Sequence, residues 1–162
     1  MSLFDNILTP CIGVCSTGIG DSVCRGCKRF DYEVINWNAY SQQQKQAIDT
    51  RLSQLLSQVV QRRFLISDET VLYNMLKLQQ VRYRKYRDSY CALYELLKAG
   101  ASQIDDTSAY GFRARWGYQG MTLSQLRLDI ERENYSLSVA HLERYVLANK
   151  SRANCVSEET EA

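Results

Sequence analysis

Four cysteines between positions 11 and 27 constrain this chain more than anything else in it. Cys11-x3-Cys15 is followed, after eight residues, by Cys24-x2-Cys27, two tight pairs joined by a loop that contains Gly18 and Gly20. Each pair can chelate from one turn while the loop folds back, so the spacing suits a tetrahedral four-thiolate site. Gly13 and Gly26 stand inside the pairs, where a missing Cβ lets backbone N–H groups approach the sulfurs. Four thiolates around a divalent ion carry net negative charge, which Arg25, Lys28 and Arg29 beside the second pair can offset. Competing readings fit less well. A thioredoxin-like redox pair at Cys24 and Cys27 lacks a strand-to-helix context, and the third cysteine comes too late for radical-SAM spacing. Core thiols rarely arrive as two tight pairs. The expected ligands of one metal centre are therefore Cys11, Cys15, Cys24 and Cys27, with Cys91 and Cys155 as bystanders.

At these residues the chain resembles a small bacterial family, the domain of unknown function 1289, commonly described as predicted iron-sulfur proteins. The resemblance runs through Pro10-Cys11-Ile12-Gly13-Val14-Cys15, Cys24-Arg25-Gly26-Cys27-Lys28-Arg29 and Glu33-Val34-Ile35-Asn36-Trp37, and ends over Ser41 to Ile48. Phe30, Tyr40 and Gln44 depart from the family pattern, all outside the cysteines. The resemblance implies a metal-thiolate module and supplies no activity.

A four-thiolate set suits either zinc or an iron-sulfur cluster, and spacing does not separate them. The segment is too small to bury much core, its main apolar residues being Ile12, Val14, Val23 and Trp37. A closed structural zinc would supply folding free energy on the order of 10 kcal/mol. Zn2+ is the expected cofactor, and an iron-sulfur cluster is the alternative.

The rest of the chain reads as mainly α: a small four-cysteine metal-binding module over 8–40, a helical body over 41–150 with one long helix, and a disordered acidic tail over 151–162. Asp31 can cap a short helix holding Val34, Ile35 and Trp37, with Glu33 in its first turn. Ser41-x2-Gln44 is a capping box for a second helix, striped by Ile48, Leu52, Leu55, Leu56 and Val59. A third helix is expected to run from Ser67 to Gly100, because neither Gly nor Pro interrupts it. Its heptad seam of Leu76, Gln79, Tyr83, Tyr86, Tyr90, Leu93 and Leu97 would pack on the preceding helix or, as a homodimer, on a second copy. Phe112, Ala114 and Trp116 alternate with Arg113 and Arg115 as in a short strand or an extended loop. Thr122-x2-Gln125 is a further capping box, and Glu133-Asn134-Tyr135-Ser136 reads as a break before a last helix with Val139, Leu142 and Val146 inside.

Charge narrows the function. The chain carries only +2 overall, yet residues 61–100 hold eight basic groups against four acidic ones. Arg82, Arg84, Lys85 and Arg87 lie among tyrosines, and with Arg113 and Arg115 they form a candidate nucleic-acid or partner surface. The two last helices have helix-turn-helix spacing but offer a DNA groove few cations. His141 is the one histidine, which excludes an HExxH protease and disfavours imidazole catalysis. The start has no basic n-region and no apolar run long enough for a signal peptide or a span, so a cytoplasmic location without a membrane is expected. The expected function is a non-enzymatic metal-thiolate adaptor binding a macromolecular partner, with RNA or a nucleoprotein ahead of a purely protein one. An iron-sulfur electron-transfer or redox-sensing protein is the alternative.

Overall fold

The computed structural model describes residues 6–150. The acidic tail and Cys155 lie outside the described residues. The fold is mainly helical, in two compact units: residues 6–50 with 135–150, and residues 51–134. The helices are α1 (Asp31–Asn36), α2 (Gln42–Arg63), α3 (Glu69–Leu78), α4 (Ser89–Gly100) and α5 (Leu123–His141). Two short strands, β1 (Phe64–Ile66) and β2 (Phe112–Ala114), pair antiparallel. The division between the units falls inside α2 and inside α5. Among the described residues no helix is long and apolar enough to cross a membrane.

In the first unit, Val23 and Phe30 form an isolated antiparallel bridge around the second cysteine pair. Their side chains are buried with Leu142, and Tyr32, Tyr135, Val139 and Val146 pack around them. The Phe30 N–H donates to the buried Glu33 carboxylate at 2.9 Å, which starts α1 one residue earlier than an Asp31 cap would. The Ser41 box opens α2 as expected, with Ser41 N–H on Gln44 Oε1 at 2.9 Å and Gln44 N–H on Ser41 Oγ at 3.2 Å. Trp37 is buried and clasped by cations, Arg29 at 4.8 Å and Lys45 of α2 at 5.6 Å from its ring centroid. Ile12, Val14 and Ile35 are exposed, in keeping with a segment too small to bury much core.

In the second unit, Phe64 and Phe112 meet edge to face at 5.5 Å, fully buried across the β1–β2 pair. Leu72, Leu76, Leu93, Leu97, Leu126 and Ile130 are fully buried as well. Gly111 is required by geometry: its φ is +76°, and a Cβ there would meet the Asp68 carbonyl at 2.4 Å. That closeness lets the Gly111 carbonyl accept from Ser67 and Asp68 at the start of α3. Arg63 is buried at the end of α2. Its guanidinium donates to Asp129 at 2.7 Å and Glu133 at 2.5 Å, and to the Val59 carbonyl at 2.9 Å.

Two expectations are overturned. The helix over Ser67 to Gly100 is two helices separated by the loop 79–88. α3 ends in a Schellman motif, with Val81 N–H on the Leu76 carbonyl, Gln80 N–H on the Lys77 carbonyl, and Gln80 itself at φ +54°. α4 restarts when Asp88 accepts the Cys91 N–H at 2.9 Å. The heptad seam is therefore not one helix face. The break at Glu133–Ser136 does not occur, because α5 continues through it into a π-helical segment, Leu142–Leu147, and on to residue 150. Two residues of the polar run find partners on other elements while staying helical: Glu133 pairs with Arg62 and Arg63 of α2, and the Tyr135 ring lies under Arg25 at 4.6 Å. The long helix of the chain is thus this last one.

Candidate metal centre

The second cysteine pair sits in a tight turn. Lys28 N–H bonds the Cys24 carbonyl at 2.8 Å, Cys24 N–H bonds the Arg29 carbonyl at 2.8 Å, and Lys28 takes φ +62° to close it. Such a turn aims successive N–H groups at the first sulfur. Burial alone would raise the Cys24 thiol, but N–H donors from Cys27, Ser16 and Gly26 outweigh it, and the thiol is pulled down to about 7. The Cys27 side chain also contributes a hydrogen bond to Cys24. Burial pushes the Cys27 thiol up, against the Arg29 guanidinium that donates to its sulfur at 3.3 Å.

The first pair lies against this turn. A Cβ on Gly26 would meet the Val14 carbonyl at 2.6 Å and Ile12 Cγ1 at 3.0 Å, so only glycine permits the approach. Cys24 Sγ faces the same Val14 carbonyl at 3.7 Å, and Arg25 N–H donates to Ser16 Oγ at 2.8 Å. Within the pair, Gly13 N–H reaches Cys11 Sγ at 3.4 Å with φ +86° at Gly13, and Cys15 Sγ bonds Thr17 Oγ1 at 3.1 Å. Cys11 and Cys15 are exposed, Cys24 is buried and Cys27 is half-buried. Cys24 and Cys27 are brought together. Among the described residues no three cysteine, histidine or acidic side chains converge on one point.

The donor chemistry nevertheless fits a thiophilic centre. Backbone N–H groups reach the sulfurs of Cys11 and Cys24 and an arginine reaches that of Cys27, contacts that stabilise thiolates, while the Cys24 thiol also donates to the Val14 carbonyl. Residues 9–56 match the model of DUF1289, a protein family of unknown function. The match takes in all four cysteines, α1 and α2 as far as Leu56, and so extends beyond Ile48, where the motif resemblance ends. No curated protein and no solved structure matches the chain. Within the matched segment, the spacing pointed to the sulfurs and to Gly26. It gave no sign of the Ser16 N–H or of the Val14 carbonyl, backbone groups that any residue type could supply, nor of the Ser16 hydroxyl that accepts from Arg25.

The remaining candidates are dispersed. Cys91 is buried in α4, its thiol on the Ser53 carbonyl at 3.4 Å. His141 packs against the rings of Phe30 and Tyr145 at 6.2 and 5.0 Å. Arg82, Arg84, Lys85 and Arg87 lie on the loop 79–88 instead of a helix face. Arg113 is exposed on β2, and Trp116 is 90% exposed. Arg115 serves the fold, since its Nε donates to the carbonyls of Gln61 and Phe64 at 2.6 and 3.1 Å and closes the C-terminal end of α2.

Proposed function

We propose that Cys11, Cys15, Cys24 and Cys27 hold one zinc ion, and that the protein is a non-enzymatic, cytoplasmic metal-thiolate adaptor for a macromolecular partner. The observation that supports this most is the seating of one cysteine pair on the other through Gly26, with the Ser16 N–H, next to Cys15, aimed at the Cys24 sulfur. The two turns touch through Gly26, and a bound metal would draw the four sulfurs inward. A binding role suits the chain better than catalysis, since its one imidazole is packed between rings.

The test is metal stoichiometry on anaerobically purified protein. The wild type should carry about one zinc per chain, by analogy with closed four-cysteine sites. Each of Cys11→Ser, Cys15→Ser, Cys24→Ser and Cys27→Ser should lower it, whereas Cys91→Ser and Cys155→Ser should not. Unchanged metal in the four variants would end the proposal. A brown protein that contains sulfide and bleaches reversibly would replace zinc with an iron-sulfur cluster and move the function to electron transfer or redox sensing.

A further inference from the structure

The loop 79–88 combines features that a mere connection between α3 and α4 does not need. Both ends are pinned, one by the Schellman motif at Gln80 and the other by the Asp88 cap. Tyr83 is anchored on the Tyr73 ring at 5.4 Å. Between these anchors stand four cations, and the first acid after them, Asp88, already accepts the Cys91 N–H. Arg82 and Lys85 are exposed. Tyr86 is 41% exposed, and its hydroxyl accepts from Arg84 at 2.6 Å.

We infer that this loop docks single-stranded RNA, with Arg82 and Lys85 on phosphates and the Tyr86 ring under an unstacked base; the inference rests on the adaptor reading above and names its partner. The positive charges call for a polyanion. A pinned loop does not enter a major groove as a recognition helix does, whereas an open aromatic face beside cations is how single strands are held. An acidic protein surface would answer the charges and leave the ring without a partner. The Tyr86 oxygen accepts from Arg84 and keeps its own proton to donate, which suits a 2′-hydroxyl and so favours RNA over DNA.

The experiment is fluorescence anisotropy of the full, metal-loaded chain with labelled oligouridylate and the matching deoxy strand, over a range of salt. The wild type should bind the RNA more tightly than the DNA. Replacing Arg82→Gln and Lys85→Gln together should flatten the slope of log K against log salt by about 1.4, or about 0.7 per lost phosphate contact. Tyr86→Ala should weaken binding about tenfold, and Tyr86→Phe should keep most of the affinity while losing the preference for RNA. Absence of binding by the wild type at low salt would overturn the inference, as would an unchanged slope in the double variant, equal affinity of the wild type for both strands, or displacement by polyglutamate as readily as by RNA. Melting curves of the variants check that the fold is intact. Bound metal measured on the same samples separates the two claims, because the adaptor's metal reading fails by stoichiometry and this inference fails by slope.

Discussion

Between Cys11 and Lys28, Val23 is the one large aliphatic side chain fully buried, whereas the unit over 51–134 buries Phe64, Phe112, Leu72, Leu76, Leu93 and Leu97 completely. Each of those side chains contributes roughly 1.5–3 kcal/mol by leaving water. The cysteine turns rely instead on backbone: N–H groups aimed at sulfur, left-handed φ at Gly13 and Lys28, and the close seat of Gly26 on Val14. A hydrophobic core tolerates repacking, while a backbone-to-sulfur arrangement depends on a few positions and on what the sulfurs bind. The two regions should therefore answer differently to the same perturbations.

Metal removal should separate them most sharply. Chelation withdraws on the order of 10 kcal/mol from a closed thiolate site, so amide hydrogen exchange should show the cysteine turns losing protection while α4 keeps its own. Parallel loss in α4 would mean that the regions are not energetically distinct. Trp37 fluorescence should shift at the same time, read in a Trp116→Phe background because Trp116 would confuse the signal. The converse perturbation is Leu93→Ala, which should cost the second unit about 3 kcal/mol by thermal or denaturant unfolding and leave bound metal unchanged.

Smaller effects sharpen the contrast. Gly26→Ala places a Cβ 2.6 Å from the Val14 carbonyl and should lower zinc affinity at least about tenfold, a cost of ~1.4 kcal/mol; Gly18→Ala, which meets open space, should not. Competition with a chromophoric chelator measures both. Equal affinities would show that the seat of one pair on the other is irrelevant to the metal. Asp88→Ala removes the acceptor for the Cys91 N–H and should destabilise the second unit by about 1 kcal/mol. Metal content should not move.

The sequence was most legible where a local rule had no competitor. The boxes at Ser41 and Thr122 form as their spacing predicts, Thr122 N–H meeting Gln125 Oε1 at 2.8 Å, and the alternation after Gly111 becomes β2. The loop 79–88 was not legible, because its helix stop is a left-handed glutamine where glycine is the usual signal. The polar run at Glu133 looked like a break because Arg63, seventy residues away in the chain, supplies the charge that it answers. In the candidate site the four cysteines stood out as candidates from their spacing. Ser16 N–H and the Val14 carbonyl did not, since backbone groups leave no mark on residue choice. Ile12 and Val14 are largely exposed, Val14 contributing its carbonyl to the site and Ile12 its side chain against Gly26.

X-ray absorption at the zinc edge of the intact protein bears most directly on whether all four cysteines share one ion. Four sulfur scatterers at about 2.3 Å, falling to three with one lighter ligand in Cys11→Ser and likewise in Cys24→Ser, is the predicted result. Two sulfurs with two nitrogen or oxygen ligands, unchanged by Cys11→Ser, would show that Cys24 and Cys27 bind alone and would contradict the shared centre.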